Sequence, residues 1–398
     1  MRKKMSLLII IIFFINFLGG CWSNTELTQM SVASAIGVDK KGEEYIVTAQ
    51  LINPDEIAGA MSGTQLSVYT YRTTGKTVFE ALRKFTLEVP RKIYLGHIRL
   101  LLLGEELARE DGIAETLDFF SRDHQVRSDF YILIAKNSMA TEVLNILTPI
   151  EKIPADKLYN SLDTAEKEWG GVHGIYLDEL ISQLVSEGKE AALTGIFIKG
   201  DLKTGDNIEN LRQSGISANV QLDSMAVFQG DRLIGWLNET ENKGYNAVIG
   251  NIKSSILVLP FKEDDDLTIE IIKTKSNIKA KEKEGKPKIE IRFKLEGNIG
   301  EITSAVDLEN PELFTQIEKR AEEEYTKLIN ASIKKAQKEF HSDIFGFGEV
   351  IHRENPQLWN SIKKNWKTNF ENLEIEVYVD ANIKRAGTMK RSFIGEIK

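Results

Sequence analysis

Two kinds of apolar patterning predict a multidomain protein of the α/β plus α+β class. Up to about residue 190, continuous apolar runs such as Ile98 to Leu103 and Phe130 to Ala135 alternate with helical periodicities. Strands buried on both faces by helices read this way. After the acidic triplet Asp264-Asp265-Asp266 the pattern changes to strict alternation: Ile289, Ile291, Phe293 and Leu295, then Ile375, Val377, Val379, Ala381 and Ile383. Those are strands with one face on a core and one in water. Mixed sheets flanked by helices are expected first, then an antiparallel C-terminal sheet that carries a long helix.

Taken in order, Tyr45 to Ile52 reads as a strand closed by the turn pair Asn53-Pro54. Val78, Ala81, Leu82, Phe85 and Val89 recur at helical spacing, and Pro90 stops that helix. Leu107, Ile113, Leu117 and Phe120 place another helix between the two apolar strands. Ser138 is the expected cap of a helix ending near Thr148-Pro149, and further helices fit 155–169 and 176–187, with Gly188 as C-cap. These elements form an N-terminal α/β domain over 22–190.

A middle domain is expected over 191–262. Its clearest element is a hairpin at 225–237, where Val227-Phe228 and Leu233-Ile234 flank Gln229-Gly230-Asp231-Arg232. Gly230-Asp231 suits a two-residue turn because glycine accepts positive φ at the first central position. Ser254 to Leu259 is a short strand ended by Pro260. In the C-terminal α+β domain, 263–398, Asn310 caps a helix with Pro311 at its first position and a pattern reaching Phe340. Phe314, Ile317, Ala321, Tyr325, Leu328 and Ser332 make its apolar stripe, and Glu322-Glu323-Glu324 its solvated face.

Cys21 is the only cysteine of the 398 residues. It follows Arg2, Lys3 and Lys4, an apolar stretch from Leu7 to Leu18, and Gly19-Gly20. A basic start, a short apolar run and small residues before a cut describe a secretory signal peptide over 1–20. The run is shorter than the ~20 apolar residues that span a bilayer. The ending Leu18-Gly19-Gly20-Cys21 resembles the lipobox of bacterial lipoproteins, in which the cysteine thiol receives diacylglycerol and, after cleavage, becomes the first residue. Two acyl chains give stable anchoring where one gives only marginal binding. The expected place of the chain is the outer face of the cell membrane, and no disulfide is available to stabilise it.

Loss of Arg2, Lys3 and Lys4 with the first twenty residues takes the net charge from −8 to −11. An acidic body does not adhere to anionic lipid by charge, and nucleic acid is not an expected partner. Catalytic patterns are sparse. Gly75-Lys76-Thr77 lacks the earlier glycine of a phosphate-binding loop, Thr70 standing in its place, and reads as the start of a helix. His97, His124, His173, His341 and His352 never pair at the spacing that puts two ligands on one helix face. His97 is expected to be a structural histidine leading a buried strand. His341-Ser342-Asp343 is contiguous and cannot be a triad, and no Gly-x-Ser-x-Gly elbow occurs. Asp55-Glu56 and Glu105-Glu106 read as surface pairs. Trp359, Trp366 and Phe370, with lysines between, read as packing residues before a partner-binding stripe. No catalytic set, metal set or cofactor is expected.

An ordered series of segments resembles the Ger(x)C family, the lipoprotein C subunits of bacterial spore germinant receptors. The series runs through Cys21-Trp22, Ala35-Ile36-Gly37-Val38-Asp39, Tyr94-Leu95-Gly96-His97, Leu103-Gly104-Glu105-Glu106-Leu107-Ala108, Phe119-Phe120-Ser121-Arg122-Asp123, the 225–237 hairpin and Ser342-Asp343-Ile344-Phe345-Gly346-Phe347-Gly348. The resemblance implies three α/β or α+β domains and a non-enzymatic nutrient-receptor subunit on the outer leaflet of the inner spore membrane. Its implied partners are an integral-membrane A subunit, a transporter-like B subunit and the bilayer. Cys21 is the one functional residue it carries over. The rival from another class, a solute-binding lipoprotein of an uptake transporter, predicts two similar doubly wound lobes around a cleft. A tethered cell-wall hydrolase would need a recognisable acid/base or metal constellation.

Overall fold

The structure is a computed structural model that describes residues 29–57, 65–262, 265–302 and 310–386. The first sheet is built on β1 (Met30–Lys41), β2 (Glu44–Ile52), β3 (Val68–Gly75), the short β4 (Lys92–Tyr94), β5 (Leu100–Gly104), β6 (Tyr131–Ala135), β7 (Ala192–Gly200), β8 (Ala218–Gln229) and β9 (Arg232–Leu237). Its order is β3-β2-β1-β5-β6-β7-β8-β9, with β4 beside the start of β1. The centre is parallel, with Ile36 opposite Leu101, Leu101 opposite Ile132 and Ile134 opposite Gly195. Both outer ends are antiparallel.

Helices cover both faces, which explains the unbroken apolar runs. α1 (Val78–Lys84), α2 (Ala114–Arg122) and, later in the chain, α5 (Leu177–Leu184) lie on one side, packing Phe85, Phe120 and Leu180 against Ile36, Leu101, Leu103 and Ile132. α3 (Ala140–Asn145) and α4 (Pro154–Glu168) lie on the other, packing Leu144, Leu158 and Leu162 against Leu100, Leu102 and Leu133. Thr77 accepts from the Glu80 amide at 3.1 Å, so Gly75-Lys76-Thr77 is the cap of α1, as read.

The 191–262 segment, expected as a middle domain, builds no sheet of its own. β7 to β9 extend the first sheet because β8 pairs with β7 (Val227 opposite Ala192), whereas β10 (Ser255–Lys262) opens the second. The hairpin turn is as predicted: Gln229 faces Arg232, and Gly230 takes a φ of 58°. α6 (Glu239–Ile249) follows it. Pro260 lies within β10 rather than ending it, which an edge strand permits because its N–H side has no ladder to feed.

The second sheet has the order β10-β11-β12-β13, with β11 at Asp265–Lys283, β12 at Lys286–Ile302 and β13 at Glu374–Ala386. The antiparallel expectation holds for β10 to β12, but β13 runs parallel to β12, Phe293 facing Val379. Parallel neighbours need a long crossover. It is supplied by α7 (Pro311–Lys335), α8 (Phe347–Glu354), α9 (Pro356–Ile362) and α10 (Trp366–Glu371). At 1.5 Å per residue, α7 is ~37 Å long. Ile317, Ala321, Tyr325, Leu328 and Ser332 are buried along it, the stripe read from the sequence, with Phe293 and Tyr325 rings 5.0 Å apart. The sheet's other face is ionic, with Lys288 between Glu374 and Glu376 and Lys294 beside Asp380.

The two sheets are unlike in topology, so the described residues do not form the paired lobes of a solute-binding protein. Among these residues no helix is long and apolar enough to cross a membrane.

Candidate functional site

Cys21, the lipid-attachment residue read from the sequence, lies outside the described residues. What the structure places are the other segments of the series, and three of them hold a carboxylate that ties backbone together.

The first is Asp39, near the end of β1. Its oxygens accept from the amides of Ala140 (2.8 Å) and Thr141 (3.0 Å) and from the Thr141 hydroxyl (3.0 Å). Asp39 therefore caps α3, the role the sequence assigned to Ser138; the Ser138 hydroxyl instead donates to the Lys136 carbonyl. Burial raises the Asp39 pKa, against the pull of its three donors.

The second is Glu105, just after β5. Oε1 accepts from Trp236 Nε1 at 2.9 Å and from Arg109, and Oε2 from the Asn137 amide at 2.6 Å. Burial pushes this carboxyl up, but the Asn137, Trp236 and Arg109 donors outweigh it and hold the pKa below the usual value. The expected surface pair is thus half a pair: Glu105 is a half-buried tie between β5, the β6–α3 loop and β9, and Glu106 is exposed. Lys136 lies 5.2 Å from the Trp236 ring centre and pairs with Asp223 at 2.7 Å.

The third is Asp343, fully buried after α7. It accepts from the amides of Gly346 (3.0 Å), Phe347 (3.1 Å) and Gly348 (2.8 Å), and from Trp366 Nε1 (3.2 Å). This stretch joins the first sheet to the helical crossover of the second: the Glu190 amide donates to the Asp343 carbonyl at 2.9 Å, and the Ser342 hydroxyl to the Phe228 carbonyl at 2.7 Å. Gly188 does not cap α5. It lies against Gly348, where a Cβ on either would come within 2.7 Å of the other's backbone.

These carboxylates have their acceptor capacity committed to holding the fold, so what the arrangement does chemically is position backbone. Trp359, Trp366 and Phe370 are buried, the packing role read for them. His97 is exposed against Tyr94, at a 5.6 Å ring distance, rather than buried at the head of a strand. The residue that helical spacing could not find is His173, set between Glu166 (3.5 Å) and Glu179 (3.8 Å) with Asn251 at 2.9 Å. Burial lowers its pKa, but the two carboxylates raise it more. Its partners come from α4 and α5, at sequence distances that no single-helix pattern shows. Among the described residues no group of three His, Cys, Asp or Glu side chains is placed to hold a metal ion.

Residues 23–198 match the family described as spore germination protein N-terminal domain, and 223–387 the one described as spore germination B3/GerAC like, C-terminal. The chain belongs to the Ger(x)C family. Spore germination protein KC of Bacillus subtilis (strain 168) is 30% identical over 395 residues, covering 97% of both chains. Spore germination protein B3 of the same organism is 24% identical over 403 residues, covering 97% of this chain and 99% of its own. The crystal structure of the GerBC protein superposes with a TM-score of 0.55 at 19% identity, over 87% of this chain and 96% of that one, and shares its fold. Of the segments that carry the resemblance, 35–39, 103–108, 225–237 and 342–348 hold or contact Asp39, Glu105 and Asp343.

Trp236 offers a direct test of the Glu105 tie. The ring is half-buried, so Trp236→Ala should cost less than the 3–5 kcal/mol of a full core aromatic, about 2 kcal/mol. Melting of the chain from Ser23 onward should fall by several degrees. An unchanged melting curve would mean that the indole contributes nothing to the fold.

Proposed function

We propose that this chain is the C subunit of a spore nutrient-germinant receptor. Diacylglycerol on Cys21 holds it at the outer face of the inner spore membrane, where it assembles with integral-membrane A and B subunits and performs no catalysis of its own. The observation that supports this reading best is the match to spore germination protein KC over 97% of both chains. The lone cysteine behind Gly19-Gly20 supports the anchor. A tethered body is confined near its partners at high effective concentration, so individually weak contacts stay occupied.

Three measurements test the proposal. Metabolic labelling with a palmitate analogue should mark the parent chain and leave Cys21→Ala unlabelled; label persisting in the variant would refute the anchor. Deleting the gene should abolish one nutrient response and spare germination by non-nutrient triggers. Calorimetry of the purified chain against amino acids and sugars should show no binding. A single nutrient bound with micromolar affinity would replace the subunit reading with a solute-binding one.

A further inference from the structure

β1 begins at Met30, nine residues after Cys21. Nine residues span at most ~30 Å when fully extended, and ~17 Å on average as a flexible chain. The twelve residues of β1 cover ~40 Å. The edge of the sheet that carries Asp39 and Glu105 is therefore at the limit of a fully stretched tether and well beyond its average span. The edge where β1 starts is within easy reach.

Several loops share that near edge. Lys92 pairs with Met30, and Leu87 precedes it by five residues. Ile52 pairs with Val68, which brings the single turn Pro54–Ile57 and the start of β3 alongside. Lys152 donates to the Glu56 carbonyl at 3.3 Å, fixing the α3–α4 loop there too. On these loops stand Ile150, 88% exposed, and Leu87, 83% exposed, the two most exposed large apolar side chains among the described residues. Ile57 and Tyr69 are exposed on the same edge. Arg91 and Lys92 are exposed and have no ion-pair partner among the described residues, so they are available at headgroup level.

We infer that this edge is the face the protein lays on the lipid bilayer, with Leu87 and Ile150 inserted and Arg91 and Lys92 among the headgroups. The inference rests on the reading of Cys21 as a lipid anchor. Short apolar insertions add to an acyl anchor's hold and fix the orientation of an otherwise freely swivelling body.

The acylated Cys21 has no free thiol, so one introduced cysteine is a unique labelling site. The lipidated chain with Leu87→Cys, Ile150→Cys or Glu106→Cys would carry a fluorophore in phosphatidylglycerol–phosphatidylcholine vesicles with brominated acyl chains. Quenching at 87 and 150 should exceed that at 106, on the far edge, by about threefold or more. Adding Leu87→Asp should reduce the quenching at 150 while the chain still floats with the vesicles. Floating chains with equal quenching at all three sites would overturn the orientation and leave the anchor standing. Lipidated chains that fail to float would overturn both.

Discussion

Asp343→Ala should be the most damaging single change in the C-terminal half, lowering stability by about 4 kcal/mol. It removes one small side chain, but it strands the amides of Gly346, Phe347 and Gly348 and the Trp366 indole N–H, all pointed at the lost oxygens. These donors are sealed from water, and a buried donor without a partner costs its full desolvation penalty. The loop they belong to carries the Gly348–Gly188 contact and sets the first turn of α8, so the loss spreads to the contact between the two sheets. Melting of the chain from Ser23 onward should drop by about 5 °C. A shift of only a degree or two would mean that water reaches the loop and satisfies it.

The same carboxyl gives the stability a pH dependence of defined sign. Burial pushes its pKa up to about 7 from 3.8, even though four donors pull it down. The native state therefore holds a proton more readily than the unfolded state between about pH 4 and pH 7. Stability is greatest at the acid side of that window and falls as pH rises through it. Asp343→Ala lacks the effect, so the gap between parent and variant should be wider at pH 5 than at pH 8. A gap that widens as pH rises would show that the fold prefers the ionised form, and a constant gap that burial and the four donors cancel.

What could be read beforehand follows from which physical signal each element carries. The apolar runs of β5 and β6 and the alternation of β12 and β13 declare themselves because burial on two faces or one leaves a simple pattern. The stripe on α7 does the same at helical period. The direction of β13 is silent in its own residues, since pairing polarity is set by the crossover before it. α6 shows the opposite failure. Asn238 and Glu241 form a capping box, with contacts of 3.0 and 2.8 Å, and Gly250 ends the helix at a φ of 76°. Those end signals stand in the sequence. Its buried side is Asn242, Gly244, Tyr245, Asn246, Ala247 and Val248, half of them Asn or Gly, so the apolar period between the end signals is short and interrupted. Asp39 and Glu105 were visible as members of a recognisable series but not as ties. Their partners Thr141 and Trp236 lie 102 and 131 residues away, a distance that no local pattern bridges.

Gly244→Ala should lower stability by about 3 kcal/mol, although alanine is the better helix former by ~1 kcal/mol. In an unconstrained helix the substitution would stabilise, so the sign itself is the test. Gly244 is where α6 crosses α7. A Cβ there would stand 2.1 Å from the Leu328 carbonyl oxygen and 2.7 Å from its carbon. Those are backbone atoms inside a helix and cannot rotate away, as a flexible side chain would. Nor can α6 retreat. Asn242 accepts the Met225 amide of the first sheet at 3.1 Å, Asn246 donates to the Gly170 carbonyl at 3.1 Å, and the Tyr245 ring lies 5.8 Å from that of Phe345. Held on both sides, α6 transmits the strain to both sheets. Amides of β8 and of α7 should therefore exchange faster together in Gly244→Ala, and the melting temperature should fall. A melting temperature equal to the parent's or above it would mean that the helices have room, and that α6 is a passenger rather than the clasp between the two halves.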